Sequence, residues 1–173
     1  MKVIDLSMPL YTGMDVFQGD PEVSIDVVHT YERDTWELRR LNMGSHTGTH
    51  VDAFSHMYEG KQTLDEIPIE RFFGKAKVVE VCQDWPKEVG LFFVGEIGIE
   101  ELDRIINSNP GFVGGNISES LERALLGKEI ITYTNLINLE LIPKGKTFMF
   151  YGLPLNIKSG DGSPVRAIAI IEN

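Results

Sequence analysis

The sequence contains a single cysteine, Cys82, in 173 residues. A lone thiol cannot staple a fold, so a disulfide framework of the secreted kind is excluded. Cys82 closes the strand-like segment from Lys75 and is expected to act as a small buried hydrophobe. Long hydrophobic runs are also missing. None approaches the roughly 20 apolar residues that cross a bilayer. Positive charge is scarce: 16 Lys and Arg against 26 Asp and Glu leave a net charge of −10, with a pI of about 4.8. Such a surface repels nucleic acid and anionic membranes, and neither is an expected partner. Near the N-terminus, Asp5 falls where a signal peptide would carry its apolar region, so a cytoplasmic location is expected. What remains is an ordinary globular composition, 42% hydrophobic and 24% charged. That is enough to bury a core, and one domain is expected over residues 1–173.

Strand signals outnumber helix signals. Val23, Ile25 and Val27 alternate with polar residues in the segment ending at His29, the period of a half-buried strand. Val3 to Leu6, Leu38 to Met43, Lys75 to Cys82, Leu91 to Val94, Glu129 to Tyr133, Thr147 to Gly152 and Val165 to Ile171 also read as strands. Two helices are expected. One spans Gly98 to Asn107, where Ile99, Leu102, Ile105 and Ile106 recur at helical spacing before Asn109-Pro110-Gly111. The other spans Ser118 to Leu126, with Ser118 and Glu119 suited to a helix start and Leu121, Leu125 and Leu126 on one face. The fold class is therefore mixed α/β or α+β, with a largely β core.

Three of the four histidines fall in the segment His46-Thr47-Gly48-Thr49-His50-Val51-Asp52-Ala53-Phe54-Ser55-His56. Imidazole and carboxylate are the usual ligands of Zn²⁺, Mn²⁺ and Fe²⁺. On a strand, His46, His50 and Asp52 share a face. A straight strand would separate His46 from His50 by about 13 Å, too far to grip one ion. A bend is required, and Gly48 is the residue that permits it. A helix would also bring the two histidines together, but the glycines and β-branched residues argue against one. Purely structural histidines with no metal are the bland alternative. His29, in its own strand-like segment, is expected to be structural or exposed. Gly160 and Asp161 read as a turn, and Arg166 as a surface ion pair, with a substrate-carboxylate anchor as its alternative.

The same segment resembles the H-x-G-T-H-x-D-x-P-x-H motif of the cyclase family, which includes bacterial kynurenine formamidase (arylformamidase) and isatin hydrolase. The departure is Phe54, where the family carries proline. Asp5-Leu6-Ser7-Met8-Pro9-Leu10 and Gly19-Asp20-Pro21 resemble the family's opening. Leu153-Pro154-Leu155, Gly160-Asp161 and Ser163-Pro164-Val165-Arg166-Ala167 resemble its end. The resemblance implies an α/β, β-rich domain of swivelling β/β/α type that forms a homo-oligomer, a dimer or a tetramer. It implies metal ligands at His46, His50 and Asp52, with His56 in proton transfer. The cofactor would be a divalent ion, Zn²⁺ or Mn²⁺. The implied reaction is hydrolysis of a small amide or lactam by metal-activated water. Family formamidases hold a second ion with a downstream histidine and a glutamate. Those positions align with Glu122 and Thr134, and Asn116 stands where an aspartate is common. One ion, or a second site completed by Glu122, is therefore expected. The rival reading is a non-catalytic small-molecule or metal-binding protein that kept the fold.

Overall fold

The computed structural model describes residues 1–172. The chain runs through β1 (Lys2–Asp5), β2 (Ser24–His29), α1 (Tyr31–Asp34), β3 (Leu38–Asn42) and β4 (His50–Asp52). It continues through β5 (Phe73–Val78), β6 (Gly90–Ile97), α2 (Leu102–Ser108), β7 (Phe112–Ile117), α3 (Glu119–Gly127) and β8 (Ile131–Thr134). It ends with β9 (Thr147–Tyr151), β10 (Gly162–Pro164) and β11 (Ile168–Ile171). Nine strands form one sheet in the order β1-β11-β9-β5-β6-β7-β8-β4-β10, and β2 and β3 form a separate two-stranded ribbon. The pairs β5-β6, β6-β7 and β7-β8 are parallel, and the flanking pairs are antiparallel. The mixed, strand-rich class expected from the sequence is the class found.

Alternation along the central strands builds a core on each face of the sheet. On β6, Leu91 and Phe93 pack beneath α2 and α3 with Val113, Ile105, Leu121 and Leu125. Phe92 turns the other way and joins Phe112, Tyr133, Phe148 and Phe150. Aromatic pairs at centroid separations of 4.7–5.8 Å tie that second cluster together, a range favourable for edge and tilted packing. Helix α3 starts where expected: the Ser118 hydroxyl accepts from Leu121 N at 3.3 Å, a cap worth about 1 kcal/mol. The core of Leu91, Phe93 and Val113 therefore fixes α3 against the sheet, and with it the face that carries Glu122.

Two expectations need correction, and one physical cause accounts for both. Strand β5 stops at Val78, four residues short of Cys82. The chain then turns, Gln83 N donating to Glu80 O at 3.2 Å. Cys82 therefore lies exposed beside the Glu80 carboxylate and is not a buried hydrophobe. His29 is half-buried, paired with Asp34 at 3.2 Å and stacked on Trp36, a structural role. Arg166 forks onto Asp5 through Nε and Nη2 on an exposed surface, the ion pair expected of it.

Candidate metal centre

Strand β4 sits between β8 and β10, and its register decides what meets what. His50 lies opposite Thr134 and Asp52 opposite Thr132 on one side. Pro164 and Gly162 take the same places on the other. The parallel strands β7 and β8 end at this level, the end of an open α/β sheet at which ligand sites recur. Before β4 the chain bends at Gly48, whose φ of +62° is left-handed. A Cβ there would also lie 2.7 Å from Leu10 Cδ2. This bend brings His46 back beside His50, with ring centroids 5.2 Å apart. After β4, a 3₁₀ turn over Phe54–His56 buries Phe54 completely and swings His56 onto His46, with centroids 3.8 Å apart.

The hydrogen bonds assign the nitrogens. His50 Nδ1 faces the Gly48 carbonyl at 2.7 Å. A carbonyl only accepts, so Nδ1 carries the proton and Nε2 presents its lone pair. Thr134 Oγ1 donates to that Nε2 at 2.8 Å. Asp52 Oδ1 lies 3.5 Å from the same nitrogen. Burial lowers the pKa of His50, outweighing the pull of Asp52, and the ring is neutral at pH 7.

His46 lies between two carboxylates. Its Nδ1 meets Asp52 Oδ1 at 2.8 Å and its Nε2 meets Asp161 Oδ2 at 2.9 Å. Burial opposes the charged ring, but Asp52 and then Asp161 outweigh it and push the pKa up to about 9. Without an ion, His46 is therefore an imidazolium at neutral pH. Its ring fits only because residue 162 is glycine, where a Cβ would stand 2.3 Å from His46 Cε1.

Asp52 is 1% exposed. Burial would raise its pKa, yet the hydrogen bond from His46 and the histidine charges hold it well below the usual carboxylate range. Its other oxygen accepts from Thr132 Oγ1 at 2.8 Å, and Glu122 Oε1 lies 3.4 Å from the same hydroxyl. Two carboxylates so close cannot both ionise cheaply. Burial first, and then the Asp52 charge, raise the Glu122 pKa well above the ordinary value, so Glu122 holds the pair's proton.

These residues line a cavity of about 820 Å³, within the range of small-molecule sites. Asp52, His50 and Glu122 lie in its wall with Thr134, Asn116 and Asn135, while Met8, Met14, Phe17 and Met57 supply apolar surface. His46, His50, Asp52, His56 and Glu122 thus all reach one place. His46, Asp52 and His56 each offer a ligand atom within 4.8 Å of the others; His50 stands outside that trio, with its Nε2 3.5 Å from Asp52 Oδ1. An N,N,O donor set of this kind suits a divalent transition ion. His50 Nε2 and Asp52 Oδ1 each accept one hydrogen bond, from Thr134 Oγ1 and from His46 Nδ1.

Sequence reasoning missed three participants. Thr132 and Asn135 carry no motif, and their roles come from strand pairing and from Asn135 Nδ2 donating to Gly48 O at 3.1 Å. Asp161 was expected in a turn, but it accepts from Ser45 Oγ at 2.9 Å and contacts His46. Its only sequence signal is its place in the Gly160-Asp161 pair.

The Cyclase family model matches residues 4–107. The chain belongs to the cyclase family. A kynurenine formamidase of Salinibacter ruber is 28% identical, covering 97% of this chain and 97% of its own. Among solved structures, isatin hydrolase A of Labrenzia aggregata has a TM-score of 0.84 at 22% identity, covering 99% of this chain and 94% of that one. A Bacillus stearothermophilus protein described as a predicted metal-dependent hydrolase has a TM-score of 0.74 at 21% identity, covering 97% of both chains. Among the described residues, no helix is long and apolar enough to cross a membrane.

Proposed function

We propose that this cyclase-family chain is a metal-dependent hydrolase of a small amide or lactam, arylformamidase-like in chemistry. The observation that carries the reading is the convergence of His46, His50 and Asp52 at a cavity wall, with the His50 lone pair fixed by the Gly48 carbonyl. The residues that would hold a divalent ion, Zn²⁺ or Mn²⁺, are His46, His50 and Asp52. When bound, such an ion supplies Lewis acidity, polarising a carbonyl and lowering the pKa of water towards 7. The relatives' printed names, a kynurenine formamidase and an isatin hydrolase, agree with a substrate that carries an aromatic ring and a C–N bond to a carbonyl.

The chain's own residues supply the rest. His56 stands at the cavity beside His46, placed to take a proton from attacking water and deliver it to the leaving nitrogen. Asn116, Thr134 and Asn135 offer hydrogen bonds to a polar substrate, and the methionines and Phe17 offer apolar contact to a ring. Thr132 fixes Asp52 and leaves its Oδ1 facing the histidines. A homo-oligomer in the cytoplasm belongs to the same proposal. The exposed Val27, Leu38 and Leu41 of the β2-β3 ribbon support the oligomer.

The test is metal content together with hydrolysis of formanilides and lactams. His50→Ala should lose the ion and the activity together. His56→Ala should keep the ion while hydrolysis falls about 10²–10⁴-fold, the range for an acid–base residue. Loss of the ion from the His56 variant would make His56 a ligand. One observation favours the second reading, a binding protein without catalysis. Thr134 already donates to His50 Nε2, where a family formamidase would place a carboxylate. Full metal loading with no turnover on any amide or lactam would favour that reading.

A further inference from the structure

We propose that Asp161 is the positioning residue of the centre, holding His46 in its ligating orientation and steering His56 beside it. The proposal rests on the reading that His46, His50 and Asp52 hold a divalent ion.

An imidazole that gives one nitrogen to a metal keeps its proton on the other, and that N–H needs an acceptor. A carboxylate in this role fixes the ring's orientation and raises its basicity as a ligand. His46 turns Nδ1 towards Asp52, the proposed co-ligand, and Nε2 towards Asp161 Oδ2 at 2.9 Å. Asp161 is therefore on the side of the ring away from the ligand pair.

Asp161 is itself held firmly. Its Oδ1 accepts from Ser45 Oγ at 2.9 Å. Its backbone carbonyl accepts from Ala53 N at 2.9 Å, and the Gly160 carbonyl accepts from Leu64 N at 2.8 Å. The next residue, Gly162, opens β10 and pairs with Asp52 itself. One β-ladder thus sets the distance between a proposed ligand and the carboxylate behind its neighbour.

The same Oδ2 atom lies 3.6 Å from His56 Nδ1, and the His56 ring lies against His46. A small rotation of the carboxylate shares it between the two rings. No other carboxylate reaches both histidines from outside the ligand pair, among the described residues.

The experiment titrates metal-free wild type, Asp161→Asn and Ser45→Ala with Zn²⁺ by calorimetry, and records the melting temperature of each metal-free protein. Cobalt-loaded samples report ligand geometry through their visible absorption. The expected result is a 10–100-fold loss of affinity in Asp161→Asn, with a changed cobalt spectrum, in a metal-free variant that still melts in one cooperative transition. Ser45→Ala, which frees one Asp161 oxygen, should lose affinity in the same direction by a smaller factor. Wild-type affinity and spectrum in Asp161→Asn would overturn the proposal and leave the metal centre standing. Should Asp161→Asn fail to fold, an unchanged Ser45→Ala overturns it instead. A wild type that binds no Zn²⁺ overturns the reading of the centre beneath it.

Discussion

Metal binding should be coupled to the loss of one proton, and that proton should come from His46. Its pKa of about 9 in the metal-free chain arises because Asp52 and Asp161 both stabilise the imidazolium. An ion that takes His46 Nδ1 must displace the proton there. His50 contributes none, since burial already keeps it neutral at pH 7. Each pH unit below 9 therefore weakens apparent affinity about tenfold, or about 1.4 kcal/mol. Between pH 8 and pH 6 the loss should be about a hundredfold. Calorimetry at pH 7 in buffers of different ionisation enthalpy counts the proton directly, and the slope should give about one per ion. Equal affinity at pH 6 and pH 8, with no proton released, would refute the reasoning.

The metal-free protein should lose stability as pH rises from about 6.5 through 9. The folded pKa of His46 lies above its ordinary 6.5, so its contribution is complete below 6.5 and is lost through 9. It amounts to on the order of 3 kcal/mol. Glu122, also raised, acts in the same direction, while Asp52 and Asp161, both lowered, contribute fully above their ordinary range and stay flat in this window. A melting temperature constant from pH 6.5 to 9 would contradict this. Tyr133→Phe should cost about 1–3 kcal/mol by chemical denaturation, because the buried hydroxyl serves the carbonyls of Phe72 and Gly152 at 3.1 and 3.0 Å. The double change Glu122→His and Thr134→Glu should raise the metal stoichiometry from one towards two by titration. The wild type pairs a protonated Glu122 with a neutral Thr134, which is a poor set for a second ion.

The sequence showed the centre well where the relevant residues are close neighbours. The cluster from His46 to His56 was legible because its members are local, needing only the bend at Gly48 and the turn over Phe54–His56 to meet. Ser118 was legible as a cap because capping is a one-turn event. Residues joined only by strand pairing were not. Thr132 faces Asp52 because β8 is registered against β4, and no local pattern encodes which strands become neighbours. Asp161 beside Gly160 read as a turn because turns and sites draw on the same residue types. Cys82 failed for a simpler reason: apolar spacing predicted a strand running past Val78, and the chain turned away first.

The pairing of β4 with β8 and β10 also has a consequence for biosynthesis. His50 and Thr134 are 84 residues apart, and His46 and Asp161 are 115 apart. At a translation rate of about 5–20 residues per second, Asp161 follows His46 from the ribosome by about 6–23 s. Early in that interval the three histidines lack both strand neighbours of β4, and until its end they lack β10. Ions that reach them then meet unfolded ligands, so the chemistry of the finished centre begins only when the last strands arrive.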